Sequence, residues 1–217
     1  MRILAIADPH GDYSTIEPIM QKAGSIDAVL IAGDITEFGP EDKAEELINM
    51  FEEPVLAVPG NCDPKEILEV LNRSKAINMH DACTSIENVN FIGIGGSNPT
   101  PFETPFELDE DKIESCLTRR FDEQEGNEGI KVLLTHAPPH CTLDEIPGAN
   151  VGCKAIKKFV DKVDLVVCAH IHEARGVMKE GDTIIVNPGM ASQGNAAIIT
   201  IDEKAEDEKI NVELIKV

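Results

Sequence analysis

Short, wholly apolar runs recur along this chain at intervals of one strand-plus-helix unit, and that rhythm limits what it can fold into. Ile3–Ala7, Ala28–Ala32 and Val55–Val58 are too short for helices and apolar on both faces, as strands inside a parallel sheet are. Phe91–Ile94, Val132–Leu134 and Leu165–Cys168 have the same character. Helical patterns lie between them. Ser14 and Glu17 have capping-box spacing ahead of Ile16, Ile19 and Ala23. Pro40-Glu41 opens a run with Ala44, Leu47, Ile48 and Phe51 at helical spacing. Further helices are expected over Lys65–Leu71, Asp109–Phe121 and Cys153–Val160. From Arg175 the pattern changes to strands joined by turns: Gly176–Lys179, Thr183–Val186, Ala196–Ile201 and Lys209–Val217. In the last, Ile210, Val212 and Leu214 alternate with Asn211 and Glu213, the period of a half-buried strand. The acidic stretch Asp202–Lys209 is expected to be a solvated hairpin turn. The fold class is α/β, with a mixed sheet or two packed sheets and helices outside.

A single domain over residues 1–217 is the simplest expectation for 217 residues. A chain this long buries roughly 70% of its unfolded surface, so it needs no disulfide merely to fold. Lys and Arg number 19 against 40 Asp and Glu, a formal net charge of −21. Such a surface repels nucleic-acid backbones and anionic lipid. Seven Phe, one Tyr and no Trp leave few platforms for stacking single-stranded bases. Long nucleic acid is therefore disfavoured as a partner, and no apolar run is long enough for a membrane span. Small anions remain compatible, because charges are screened over about 8 Å at physiological salt. Cys62, Cys83, Cys116, Cys141, Cys153 and Cys168 form no CxxC pair. They read as reduced thiols of a cytoplasmic protein. The apolar N-terminal run is too short for a signal peptide and reads as a strand. A homo-oligomer is left open.

Residues of metal-ligand type stand just past five of the expected strands. They are Asp8 and His10, then Asp34 after Gly33, then Asn61 within Gly60-Asn61-Cys62-Asp63, then His136 after Thr135, then His170 and His172. In open α/β sheets the carboxyl ends of neighbouring strands face one crevice, where ligands bind. Seven such side chains are too many for one zinc ion and suit two divalent metals sharing a carboxylate. Histidine, carboxylate and one amide fit Mn, Fe, Zn, Co or Ni better than Ca. In Asp8-x-His10 and His170-x-His172 the paired side chains point the same way if the segments stay extended.

These motifs resemble the calcineurin-like metallophosphoesterase superfamily, whose order is D-x-H, G-D, G-N-[H/C]-[D/E], a His after a strand, then G-H-x-H. Here they stand as Asp8-Pro9-His10, Gly33-Asp34, Gly60-Asn61-Cys62-Asp63, Thr135-His136 and Ala169-His170-Ile171-His172. The stretch His170–Gly176 followed by Asn187-Pro188-Gly189 is similar to the branch of predicted phosphoesterases related to cyclic-nucleotide phosphodiesterases. The resemblance implies a four-layer αββα sandwich of two mixed sheets. It also implies a dinuclear-metal-dependent phosphoesterase, with manganese first and Fe, Zn, Ni or Co as alternatives. Asp8, His10 and His172 would hold one ion, Asn61, His136 and His170 the other, and Asp34 would bridge them. The implied reaction is in-line attack of a metal-bridging hydroxide on a small phosphodiester, diesters being favoured over monoesters. With two ions, two carboxylates and a hydroxide, the site carries about +1 inside an acidic protein.

Two positions depart from the family pattern. Ala169 replaces Gly, which is harmless unless the position needs positive φ. Cys62 replaces the His that many members place near the phosphate, and a thiol is a poorer cation and donor than an imidazole. Three further residues invite a role. His140, on a loop leaving the site, is a candidate donor to the leaving group. Arg175 matches phosphate geometry and is a candidate substrate contact. Asn98, in the turn-rich Gly95–Pro101 loop, is a candidate pocket residue beside Asn61 and Cys62. His80 has no chemical neighbour in the sequence and reads as structural. Two rivals stand beside the enzyme. One is a protein-interaction scaffold on the same fold, as in a retromer subunit that resembles it; that reading is weakened because all seven ligand positions hold competent side chains. The other is a dinuclear hydrolase of a non-phosphate ester or amide.

Overall fold

The computed structural model describes residues 1–205 and 208–217. Along the chain come β1 (Arg2–Ile6), α1 (Ile16–Ala23), β2 (Ala28–Ala32), α2 (Lys43–Asn49), β3 (Val55–Val58), α3 (Ile67–Arg73), β4 (Ile77–Asn78), β5 (Ala82–Ile86) and β6 (Val89–Ile94). Then follow α4 (Glu110–Glu123), β7 (Ile130–Thr135), the short β8 (Glu145–Ile146) and β9 (Ala149–Asn150), α5 (Lys154–Lys157), β10 (Leu165–Val167), β11 (Gly176–Glu180), β12 (Thr183–Asn187), β13 (Asn195–Ile201) and β14 (Ile210–Lys216).

The strands form two six-stranded mixed sheets, in the orders β14-β13-β1-β2-β3-β4 and β11-β12-β10-β7-β6-β5. The period-2 alternation of each strand divides its apolar side chains between two layers. On β1 and β2, Ile3, Ala5, Ala28 and Leu30 meet Val132 and Leu134 of β7 and Leu165 and Val167 of β10 between the sheets. Their neighbours Leu4, Ile6, Val29 and Ile31 face outward, where Ile16, Ile19, Leu47, Ile48, Ile67 and Leu71 of α1–α3 cover them. Leu133 and Val166 face the other way, under Ile113 and Leu117 of α4 and Ile156 of α5. The order helix, sheet, sheet, helix is therefore why the strands read as unbroken apolar runs: both faces are buried. Among the described residues no helix is long and apolar enough to cross a membrane.

The layers match the expectation, and local details depart from it. The Ser14–Glu17 capping box does not form. Thr15 precedes the helix, its hydroxyl donating to the Ala191 carbonyl, and the Ser14 amide turns back to the Asp12 carboxylate at 3.0 Å. The helix expected over Cys153–Val160 shrinks to α5 and a separate 3₁₀ turn at Val160–Lys162. There the Thr183 hydroxyl lies 2.7 Å from the carbonyls of both Val160 and Val163 and supplants a continuing helix. The acidic turn between β13 and β14 includes positions 206 and 207, which lie outside the described residues. Its flanks close as a hairpin, with Ile201 opposite Ile210 and the Asp202 amide donating to Lys209 at 2.8 Å.

In one sheet β1, β2 and β3 run parallel; in the other β6, β7 and β10 do. Their carboxyl ends carry the candidate site.

Candidate metal centre

Past its last strand pair the β1–β2 ladder continues into the loops. The amides of Asp8, His10 and Gly11 donate to the carbonyls of Gly33, Asp34 and Ile35 at 2.9–3.1 Å. This zips the two ligand-bearing loops together, but not in extended form. Asp8, His10, Asp34 and His170 all have positive φ, between 48° and 70°. That corrects the expectation for Asp8-x-His10 and His170-x-His172. Left-handed turns, not the alternation of a strand, bring their side chains inward, and His172 begins a 3₁₀ turn. Non-glycine residues in this region carry strain, held in place by what surrounds them. Ala169 is not among them, so the Gly-to-Ala departure is harmless, as expected.

Glycine makes the close approach of the loops feasible. A Cβ on Gly60 would sit 2.1 Å from both the backbone nitrogen and Oδ1 of Asp34. Asp63 locks the same corner: buried, it accepts from the amides of Ile35, Thr36 and Gly60 and from the Thr36 hydroxyl at 2.7–3.1 Å. Burial and the charge of Asp34 push its carboxyl up to about 7. At the opposite loop, Asn187 donates to the Ile171 carbonyl at 2.9 Å and pins the His170–His172 segment.

Six of the seven predicted ligands converge around Asp34. Its Oδ1 lies 3.4 Å from Nε2 of His136, and its Oδ2 3.8 Å from Nε2 of His10. Asp8, His10 and His172 form one group whose ligand atoms lie within 4.8 Å of one another, and Asp8, Asp34 and His136 form another. The His10 and His172 Nε2 atoms face each other at 3.4 Å. Asn61 Oδ1 is 2.8 Å from His136 Nε2. The seventh, His170, packs edge-on to His136 with ring centres 5.0 Å apart.

The protonation logic of this cluster points to a cation. His136 Nδ1 lies 2.8 Å from the Ala32 carbonyl, which can only accept, so Nδ1 carries the hydrogen. In the neutral ring Nε2 is then a lone pair. The Asn61 amide facing it is oriented by a chain of forced assignments. Glu107 accepts from the Thr104 hydroxyl at 2.7 Å, so the Thr104 oxygen accepts from Asn61 Nδ2 at 3.1 Å. Asn61 Oδ1 therefore faces His136. With a neutral His136, its Nε2 and Asn61 Oδ1 meet at 2.8 Å as two acceptors with no hydrogen between them, and Asp34 Oδ1, which accepts the Cys62 amide at 2.8 Å, lies 3.4 Å from the same nitrogen. Nearby, both carboxylate oxygens of fully buried Asp8, and His10 Nδ1, have no hydrogen-bond partner. The imidazole nitrogens of His172 and His136 approach Asp8 only to 3.8 and 3.9 Å, and a buried carboxylate that accepts no hydrogen bond is costly. Divalent metals bound by this donor set fit both observations.

The titrations of the ring also favour ligation. Burial and the nearby His136 lower His170 to about 3, which keeps its imidazole neutral and able to ligate. Burial alone would raise Asp8, but His172, His136 and His10 outweigh it and hold the carboxyl below its usual range. Asp8 in turn raises His172. Burial, with the charges of Asp34, Asp63 and Asp8, pushes the half-buried Cys62 thiol well above its usual range.

The outer candidates fare differently. Arg175 was expected to meet a phosphate oxygen. Instead its Nε donates to the Pro188 carbonyl at 3.1 Å and its Nη2 to the Ile215 carbonyl at 3.0 Å, tying β12 to β14. Asn98 donates to the Val151 carbonyl at 3.3 Å, which joins two loops. His140 Nδ1 lies 3.5 Å from buried Asp144 and has no hydrogen-bond partner. Asp144 is occupied by the amides of Cys141, Thr142 and Gly152 and by Asn150. His80 does have neighbours: it accepts from the Gly95 amide at 3.2 Å and stacks edge-on against Phe106. The sequence reading missed Thr104 and Glu107. The Gly95–Pro101 turn hinted at a loop near the site, but the residue that reaches Asn61 comes later in the same loop.

A family profile described as calcineurin-like phosphoesterase matches residues 1–174. An uncharacterized protein of Methanocaldococcus jannaschii is 38% identical over 205 residues, covering 88% of this chain and 89% of the relative. A solved structure from Thermus thermophilus superposes with a TM-score of 0.73 at 19% identity, over 99% of this chain and 98% of that one. A structure titled a dimetal phosphatase from Danio rerio superposes with a TM-score of 0.61 at 10% identity, over 100% and 98%. At these identities the two structures speak to the fold, while the profile covers every one of the seven candidate ligand positions. The chain belongs to the calcineurin-like phosphoesterase family.

Proposed function

We propose that this protein is a dinuclear-metal-dependent phosphodiesterase for small substrates. Asp8, His10 and His172 would hold one ion and Asn61, His136 and His170 the other, with Asp34 between them. The observation that carries this reading is the meeting of His136 Nε2 and Asn61 Oδ1 as two facing acceptors, with Asp34 Oδ1 3.4 Å from the same nitrogen, beside the carboxylate of Asp8, which accepts no hydrogen bond. A protein-binding scaffold would have no need to keep such a cluster. The bridging role of Asp34 is supported by its two oxygens, which face His136 and His10 separately. When bound, the ions supply Lewis-acid charge and an acidified water. The chain's own part is to fix the donors, bury them and admit the substrate from the half-buried His10, Cys62 and His172 side.

Charge supports diesters over monoesters. With two ions the site carries about +1, which suits a monoanion. The ion pairs recorded around the cluster involve its own histidines and aspartates, and Arg175 is committed to backbone carbonyls. Exposed aromatics support an organic substituent. Phe38, 60% exposed, donates its amide to the Cys62 carbonyl, and Phe102, 81% exposed, lies on the loop whose Phe106 amide donates to the Asn61 carbonyl. Residues 1–217 are read as one domain, because β12 and β13 complete the two sheets beside β10 and β1. The six free cysteines support a reducing compartment such as the cytoplasm.

The test begins with metal-stripped protein given Mn, Zn, Co, Ni or Mg separately. Hydrolysis of bis-p-nitrophenyl phosphate is compared with that of p-nitrophenyl phosphate, with Asp34→Asn in parallel. Metal-dependent diester cleavage that disappears in Asp34→Asn is expected. Two bound ions with no turnover of either ester would reject the reading.

A further inference from the structure

Of the six histidines in the chain, four are the candidate ligands His10, His136, His170 and His172. His80 is committed elsewhere, its Nδ1 accepting from the Gly95 amide and its ring edge-on to Phe106. That leaves His140, on the loop that runs from His136 out of β7. Its amide donates to the Cys153 carbonyl at 3.0 Å, which folds the loop back on itself. Its Nδ1 lies 3.5 Å from Asp144 Oδ2, buried and without a hydrogen-bond partner. Asp144 is fully buried, and its carboxylate is held by the amides of Cys141, Thr142 and Gly152 and by Asn150 at 2.7–3.0 Å. None of these donors is charged. A carboxylate only accepts, so the ring hydrogen facing it belongs to Nδ1. Nε2 is then on the open side of a side chain that is 28% exposed. The pair also flanks the candidate centre. Strand β8, which follows Asp144 directly, packs against the 3₁₀ turn that begins at His172. Thr142, Leu143 and Ile146 on one side and Glu173 and Ala174 on the other line a cavity of about 440 Å³. A substituent of an ester bound at His172 has room there.

We infer that His140, oriented by Asp144, is the acid that protonates the leaving alcohol, which equips the protein for diesters of unactivated alcohols. The inference rests on the phosphoesterase reading above. The oxygen of a water forms the new bond to phosphorus, and one proton of that water goes to solvent. The bond from phosphorus to the leaving oxygen breaks, and its electron pair stays with that oxygen. The oxygen takes the Nε2 proton of the His140 imidazolium and departs as the neutral alcohol. The ring is left neutral, keeps its Nδ1 hydrogen toward Asp144, and regains the Nε2 proton from solvent before the next turnover. Asp144 is a positioning residue, since it acts only by fixing the orientation and tautomer of the ring. The 3.5 Å separation is compatible with this role, because such contacts tighten when substrate binds.

Two diesters that differ only in the leaving group test this, methyl phenyl phosphate and methyl p-nitrophenyl phosphate. Nitrophenolate departs without a proton and phenolate far less readily. His140→Ala should lower kcat on the phenyl ester by about 10²-fold or more, and on the nitrophenyl ester by no more than about threefold. His140→Gln keeps a hydrogen-bond donor but cannot surrender a proton, and should be as impaired as His140→Ala. Asp144→Asn should also lose the phenyl ester selectively, because an amide can donate to Nδ1 and reverse the tautomer. A readout independent of turnover is ¹⁵N NMR of the ring nitrogens in metal-free protein. The neutral His140 ring should carry its hydrogen on Nδ1. Equal losses on the two esters, a His140→Gln protein that cleaves the phenyl ester like wild type, or a neutral ring with its hydrogen on Nε2 would each overturn the inference and leave the phosphoesterase reading standing. Wild-type protein that cleaves only the nitrophenyl ester does the same. Wild-type protein that cleaves neither ester with any metal overturns both.

Discussion

Gly60→Ala tests the centre without removing any ligand. A methyl on Gly60 would lie 2.1 Å from the Asp34 backbone nitrogen and Oδ1 and 2.7 Å from its Cγ, where real contacts do not fall below 3.0 Å. Neither side can easily yield. The Gly60 amide is fixed to Asp63 at 2.8 Å, and Asp63 also grips Ile35 and Thr36 on the Asp34 loop. The Asp34 carboxylate must retreat by roughly 1 Å, several times the ~0.2 Å tolerance of a metal–ligand distance. Since Asp34 is placed to serve both ions, affinity should fall at least about 100-fold, or about 2.7 kcal/mol. Turnover should fall by about 10²-fold from misplacement alone. Calorimetric titration with zinc reads the first effect and diester hydrolysis the second. Gly126→Ala is the control: its φ of +83° imposes backbone strain, but a Cβ there meets nothing within 4 Å. It should lose about 1 kcal/mol of stability and no metal affinity. Gly60→Ala protein that is folded by circular dichroism and binds two ions with wild-type affinity would refute the role given to Asp34.

Thr104→Val removes the acceptor that orients Asn61 and leaves Glu107 with one partner fewer; metal affinity should drop about tenfold by calorimetry, with the melting temperature changed little. Phe38→Ala and Phe102→Ala should each raise KM for bis-p-nitrophenyl phosphate by up to about tenfold and leave kcat unchanged, as expected when an aromatic contact worth ~1 kcal/mol is lost. Adding zinc at a hundredfold excess over its dissociation constant should stabilise stripped protein by about 2.7 kcal/mol per site in thermal melts. Burial lowers His80 below its ordinary value of 6.5, so the unfolded chain binds the extra proton first. Stability should therefore decline as pH falls below 6.5, and His80→Asn should flatten that slope in denaturant titrations at several pH values.

The sheets were legible because their strands are buried on both faces, and apolar runs such as Val29–Ile31 and Val132–Leu134 need no partner to be recognised. Strand β5, Ala-Cys-Thr-Ser-Ile at a sheet edge, lacks that signature, and none of its residues is fully buried. The candidate ligand positions were legible for a related reason. A parallel strand ends where its loop begins, so residue type and order along the chain survive without coordinates. Arg175 and Thr104 were not. Whether a guanidinium reaches phosphate or the Ile215 carbonyl depends on strand β14, forty residues later in the chain. Thr104 reaches Asn61 only because the loop between β6 and α4 folds back, with the Leu108 amide donating to the Ser97 carbonyl across it at 2.8 Å.

The left-handed backbone at four ligand positions joins these observations. Alternation along a strand would have sent Asp8 and His10 to the same side, but the chain has already left the strand at Ile6. The inward aim is set instead by conformations that cost roughly 1 kcal/mol or more each in non-glycine residues. Asp and His tolerate that region better than most residues, which fits the residue types found there. The strain is maintained by bonds outside the ligand set: Asp63 on the Asp34 turn, the continued β1–β2 ladder under Asp8 and His10, and Asn187 under His170. The same frame holds the Asp8 carboxylate, which accepts no hydrogen bond, and the facing His136 Nε2 and Asn61 Oδ1. Divalent ions at this donor set would relieve the electrostatic cost, while the backbone strain is carried by the frame. Loosening the frame should therefore weaken metal binding before it unfolds the protein: Asn187→Ala is expected to lose zinc affinity about tenfold in calorimetry. Equal zinc affinity for Asn187→Ala and wild type would show that the loop keeps its shape without that bond.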